Sequence, residues 1–262
     1  MARFDHISTP SHAAQAAGVR FGDKGTHTSR TMMLAELTEL LAAVPANATR
    51  DDYANAIIED NVLGKQTAST RRLTNQRLGE LYGLSLPVPL FRVLRRLWDI
   101  DELGRPLLAL LCALARDPLL RATAEAVVPL PVGGELVRTI MSSTIRAATG
   151  HRLNESTLDK VARNTSSSWT QSGHLEGRVR KIRHLVRPTP GPVVYALWLG
   201  SFDDLAGEDL LRSAWARVLD ASPQELMNLA LRGKQLGLIN ASVGGGVTEI
   251  DVSPLNSLEG LF

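Results

Sequence analysis

The chain has 262 residues, 44% hydrophobic and 21% charged, and its 29 basic and 27 acidic side chains leave a net charge of only +2. That composition excludes disordered and fibrous classes and allows one or two domains with a sizeable core. The single Cys112, set in LLALLCALA, excludes an intramolecular disulfide and a cysteine metal cage, and reads as a buried thiol rather than a nucleophile.

In chain order, most of the sequence carries helical periodicity. A polar, Gly-rich opening reads as loose. Met33, Leu34, Leu37, Leu40, Leu41 and Val44 then keep helical spacing until Pro45 ends the run. Thr49 starts a second helix with Tyr53, Ile57, Ile58 and Val62 inward and Gly64 able to close it. A third runs from about Thr67–Ser69 to Tyr82, and after Pro87 and Pro89 a fourth carries Leu90, Phe91, Leu94, Leu97 and Trp98. Segments 106–116 and 118–128 are apolar almost all round, as in the middle of a bundle, with Asp117-Pro118 as N-cap and first helical residue. Residues 134–148 give a further stripe, and Gly150 marks a domain boundary. The expected core includes Leu111, Leu114, Leu119, Val127, Ile140 and Ile145. Beyond Arg187, helices follow from Pro192, around Leu210–Val218, and from Ser222-Pro223, before two strands about a glycine turn in LGLINASVGGGVTEIDV. The longest apolar run, Pro106–Ala115, is ten residues, about half of a bilayer span. The opening MARFDHISTPSH lacks the apolar stretch of a secretory signal. No membrane association is expected, and the cytoplasm is the expected location.

Charge is spread unevenly. Residues 163–187 hold six basic side chains against one acid, whereas residues 188–262 hold four against nine. The segment RNTSSSWTQSGHLEGRVRKIRHLVR places small hydroxyl residues suited to a helix N-terminus after the amphipathic Leu158, Val161 and Ala162, then Trp169, a Gly173 stop and a basic extended stretch. Helix, turn, short polar helix and basic extension is the order of a winged helix-turn-helix. In that reading Ser167, Ser168, Thr170 and Gln171 lie at or near a DNA groove, and Arg178, Arg180, Lys181 and Arg183 meet phosphate. The competing reading is a solvated basic strand. The C-terminal helix-and-hairpin pattern lies in acidic surroundings and reads as structural or as a docking surface, since phosphate contact needs cations.

A second basic island surrounds the start of the third helix, where Lys65, Arg71 and Arg72 join Thr67, Ser69 and Thr70 near free backbone N–H groups. Nucleic-acid contact and pairing with Glu59 and Asp60 are equally good readings of it. No catalytic constellation stands out. GVRFGDKGT lacks P-loop spacing, and Gly244–Gly246 precede a strand pattern rather than a helix. His174 and His184 have no metal-ligand spacing and read as solvated or phosphate-facing.

The segment IIEDNVLGKQTASTRRLTNQRLGELYGLSLPVPLFRVLRRLW, with SSSWTQSGHLEG and PVVYALWLG…GEDLLRSAW, resembles the BrxA family of bacteriophage exclusion (BREX) defence systems, from about Tyr53 onward. The resemblance implies a small helical accessory protein whose first part is like the NusB antitermination fold, and which binds double-stranded DNA without catalysis. The expectations are therefore a mainly α chain, with a NusB-like bundle over residues 1–150 and a winged-helix region over 151–262. The first module of that region spans about 151–190 and the second about 191–262. Double-stranded DNA is the expected partner, with other phage-defence proteins possible in addition; no cofactor, metal or small-molecule substrate is expected. The alternatives are a protein–protein adaptor and an RNA-binding NusB-like protein, the latter disfavoured by an aromatic content of 5%.

Overall fold

Two apolar helices are buried along nearly their whole length and form the middle of the molecule. The computed structural model describes residues 11–150, 152–245 and 247–257. Among these the chain is mainly helical, with two antiparallel hairpins. The helices are α1 (His12–Ala17), α2 (Leu34–Ala43), α3 (Arg50–Ile58), α4 (Ala68–Tyr82), α5 (Pro89–Ile100), α6 (Arg105–Arg116), α7 (Pro118–Ala122), α8 (Ala124–Val127), α9 (Arg138–Ala148) and α10 (Glu155–Gln171). After the hairpin β1 (Leu175–Glu176) and β2 (Ile182–Arg183) come α11 (Pro190–Gly200), α12 (Ala214–Arg217), α13 (Pro223–Gln235) and the second hairpin, β3 (Asn240–Gly244) and β4 (Val247–Asp251).

Helix α6 is buried at every position from Leu107 to Arg116, and α11 from Gly191 to Gly200, so neither has a solvent face. They pack on each other. Helices α4 and α5 also cover α6, while α5, α12 and α13 cover α11. The buried apolar residues form one cluster from Ala14 to Leu255. The boundary expected at Gly150 does not divide it: α10, beyond that point, packs on α6, α7 and α9, before it.

Capping chemistry sets several ends as expected. Thr49 and Ser222 each form a capping box, with Asp52 and Glu225, and Thr67 caps α4. The Asp117 carboxylate accepts from Leu119 N and Leu120 N at the start of α7. Other boundaries differ. The apolar 118–128 stretch is two short helices joined at Thr123, and the helix expected from Pro192 begins at Pro190. Helix α9 begins only at Arg138, because residues 134–136, after a turn at Gly133, run alongside β2 and pair with it through Glu135 and Ile182. Ile140, expected in the core, is therefore 45% exposed, and Val62 and Val137 also face solvent; Leu111, Leu114, Leu119, Val127 and Ile145 are buried.

Residues 1–10 of the opening expected to be loose lie outside the described residues; the rest of it is an ordered helix and strap. After α1, residues 18–33 run across the molecule to a short 3-10 turn at Thr26–Thr28, where Thr26 and His27 are buried. Gly25 permits this path, since a Cβ there would lie 2.1 Å from the Asp117 Oδ1 atom.

Candidate nucleic-acid interface

The turn expected inside residues 163–173 is absent, and α10 is one helix of 17 residues. Its hydroxyl run does not cap a new helix. Thr165, Ser166, Ser168 and Thr170 donate to carbonyls four residues back, on Val161, Ala162, Asn164 and Ser166, at 2.7–3.0 Å. Leu158, Val161, Ala162, Thr165 and Trp169 meanwhile form one continuous buried face. The helix stops at Gly173, whose φ of +87° suits glycine. The connection between helices lies one element earlier, between α9 and Asn154, which caps α10 by accepting from Thr157 N at 2.9 Å.

A third extended segment completes the small sheet. Leu175 faces Arg183 and Glu176 faces Ile182 across the hairpin. On the other edge of β2, Gly133 N donates to Arg183 O and Arg183 N to Gly134 O, both at 2.9 Å, and Leu136 N donates to Lys181 O at 2.7 Å. The chain order is thus extended segment, α9, α10, hairpin, with β2 between the 133–136 segment and β1.

Successive helical residues step about 100° round the axis, which divides α10 into faces. Ser156, Lys160, Arg163, Ser167 and Thr170 share the solvent side. The acids of α10, Glu155 and Asp159, lie to one side and are paired with Arg146 and Arg138 of α9. That leaves Lys160 and Arg163 as the charges of the exposed stripe. Its far end meets the hairpin, where Lys181 Nζ donates to Thr170 Oγ1 at 2.9 Å and to Gly177 O at 2.6 Å. Partial burial holds the Lys181 ammonium somewhat below its ordinary pKa. Arg178 is exposed beside Val179, which is 90% exposed at the hairpin tip. Arg180 is exposed and doubly hydrogen-bonded to Glu135 Oε2, at 3.0 and 2.7 Å, which raises its pKa.

The structure therefore places Ser167, Thr170, Arg178, Arg180 and Lys181 on or beside one surface, and removes three residues from it. Ser168 is wholly buried: its Oγ accepts from Met32 N and lies 2.8 Å from His27 Nε2. Gln171 Oε1 accepts from Leu34 N at 3.1 Å. Arg183 is 2% exposed, forks onto Asp220 and donates to Val127 O. Burying that guanidinium without a carboxylate would be prohibitive, so Arg183 is an anchor of the hairpin and not a phosphate ligand. His174 is likewise not solvated: it is buried between Ser172 Oγ and Val218 O, and burial pushes it down to about 4. His184 is exposed and lies 2.9 Å from Glu176.

The other basic island stands apart, with no hydrogen bond or ion pair to this surface among the described residues. Lys65 pairs with Glu36 of α2 at 3.1 Å rather than with Glu59 or Asp60. Arg72 is exposed, and the Arg71 Nε is buried without a hydrogen-bond partner.

Sequence reasoning missed Lys160 and Arg163 as members of the exposed basic stripe, although the unbroken spacing of Leu158, Ala162, Thr165 and Trp169 could have shown that they share a helix with Ser167. It also missed the node at His27. The imidazole Nδ1 lies 2.8 Å from Asp117 Oδ2 and Nε2 2.8 Å from Ser168 Oγ. Burial opposes ionisation of Asp117, yet the facing His27 and the N–H donors hold its carboxyl below the usual range. Ser, His and Asp in this order form a nucleophilic relay in many hydrolases. Here all three are at most 1% exposed, and the Ser168 hydroxyl is enclosed by its own helix and the strap, so the node fastens the strap. Among the described residues, no group of three or more His, Cys, Asp or Glu is placed to hold a metal, and no helix is long and apolar enough to cross a membrane. Comparison with protein families, characterised proteins and solved structures gave no match.

Proposed function

We propose that residues 118–183 act as a winged helix-turn-helix that binds double-stranded DNA, with α10 as the groove-facing helix and residues 177–181 as the wing. The observation carrying this reading is the stripe of Ser156, Lys160, Arg163, Ser167 and Thr170, free of acids and continuous with Lys181 and Arg178. Supporting it is the order of elements, in which one helix crosses the backbone and the next enters the groove. Contacts of this kind go mainly to phosphate and give affinity with little sequence preference. A NusB-like character of the first part and a non-catalytic accessory role in BREX-type phage defence both rest on the resemblance to the BrxA family alone.

Each phosphate contact releases condensed counterions, so three to five contacts should give a log–log salt slope of roughly −3 to −5. Fluorescence anisotropy with a mixed-sequence duplex measures it. Lys160→Glu with Arg163→Glu should abolish most binding and flatten the slope by about two units. Wild-type affinity and slope in that variant would refute the reading. A specific feature also favours a protein partner as a second reading: Val132, Val137, Ile140 and Val179 are exposed on α9, its preceding segment and the hairpin. Duplex-independent self-association or pull-down, lost in Ile140→Asp, would support it.

A further inference from the structure

The strap from Asp23 to Leu34 follows α10 along its length. Asp23 meets Arg152 just before the helix. His27 O accepts from Asn164 Nδ2 at 2.9 Å, Met32 N donates to Ser168 Oγ at 2.8 Å, and Leu34 N donates to Gln171 Oε1 at 3.1 Å. Residues 164, 168 and 171 recur at helical spacing, so the strap runs parallel to α10 on one fixed side of it. That side adjoins Ser156, Lys160, Arg163, Ser167 and Thr170. The opposite side of the same stripe is where Arg138 and Arg146 of α9 hold Asp159 and Glu155. The exposed stripe is therefore bordered by α9 on one flank and by the strap on the other.

A helix lying in a major groove about 12 Å wide has a phosphate backbone on each flank. The α9 flank supplies the arrangement that helix-turn-helix modules use against one backbone. The other flank is filled here by the strap, which carries Lys24 and Arg30; the N–H groups of residues 27–30 and 32–34 and the Ser29 hydroxyl already donate within the fold. Lys24 and Ser29 are exposed, and Arg30 is half-buried, with Nη1 donating to Ser29 O at 3.0 Å. Neither cation has a carboxylate partner among the described residues. The strap is also fixed in advance: His27 is wholly buried between Asp117 and Ser168, and Thr26 Oγ1 donates to Glu80 Oε2 at 2.9 Å. A segment already held in place loses little conformational entropy on binding.

We infer that the strap is a second phosphate-binding rail, in which Lys24 and Arg30 contact the duplex strand opposite the one met by α9. This rests on α10 being the groove-facing helix, and the test separates the two claims. The full chain is titrated with a fluorescein-labelled 20-base-pair mixed-sequence duplex across a salt series, in wild type, Lys24→Gln with Arg30→Gln, and Lys160→Gln with Arg163→Gln. The strap variant should bind several-fold more weakly at moderate salt, with a slope flatter by up to about two units, and melt as the wild type does. The charge-keeping pair Lys24→Arg with Arg30→Lys should restore both affinity and slope. If the stripe variant loses binding while the strap variant keeps wild-type affinity and slope, the rail is overturned and the groove-facing helix stands. Failure of the charge-keeping pair to restore the slope would also overturn the rail. Wild-type binding in the stripe variant would remove the premise.

Discussion

The two hairpins follow the same plan and are anchored differently. Each comes after a helix that ends in the left-handed region, at Gly173 after α10 and Gly237 after α13. The first has strands of two residues, is paired on its second edge by residues 133–136, and is pinned beneath by Arg183 on Asp220. Its tip carries Arg178, Val179, Arg180 and Lys181. The second has strands of five residues, with Asn240 Nδ2 donating to Asp251 and Ser242 Oγ to Glu249, and it packs on the acidic turn at Gly207–Arg212. Equivalent local architecture thus presents cations in one place and carboxylates in the other. The order of elements is shared by both hairpins, so the proposed duplex surface is distinguished by the charge on it and not by the architecture.

The largest expected contrast is in stability. Arg183→Leu strands Asp220, 5% exposed, without its partner; it should cost about 3–5 kcal/mol. Ser242→Ala on the second hairpin should stay within about 0.5 kcal/mol. Thermal or urea denaturation compares them, and equal losses would break the distinction between a pinned and an unpinned hairpin.

Next in size is a pH effect confined to the first hairpin. His174 is held down to about 4, from an ordinary 6.5, chiefly by burial. Folding therefore favours its neutral form, so the stability it permits is complete above pH 6.5 and is lost as the pH falls toward 4. The full loss amounts to about 3 kcal/mol. His174→Gln should be less stable at pH 7 yet show a flatter stability profile between those limits; an unchanged profile would mean that His174 is not buried as described.

Smaller still is the effect of one exposed cation. Arg178→Gln should remove about one unit of salt slope from duplex binding, and Lys234→Gln beside the second hairpin none. Equal effects would mean that overall charge, rather than this surface, governs binding.

Much of the scaffold was legible in the sequence because its signals are local. The caps at Thr49, Thr67, Asp117 and Ser222, the Gly173 stop and the all-apolar α6 depend on neighbours within a few residues. What escaped were features decided by distant partners. Ser168 and Ser167 are adjacent hydroxyls, yet one faces His27 and the other solvent, because α10 turns by about 100° between them. Arg183 looks like its neighbour Arg180 until Asp220, 37 residues on, is brought against it. His27 sits in a stretch of glycines and hydroxyls with no periodicity, and only Asp117 and Ser168, both remote, give it order. The basic stretch was visible as charge; which of its members are spent internally was not.

The most direct test of the account is amide hydrogen exchange on the full chain with and without a saturating mixed-sequence duplex. Slower exchange is expected in peptides covering the strap, α10 and residues 177–181, with no change over β3 and β4. Protection of residues 240–251, or none at α10 and its hairpin in a protein that binds the duplex, would contradict it.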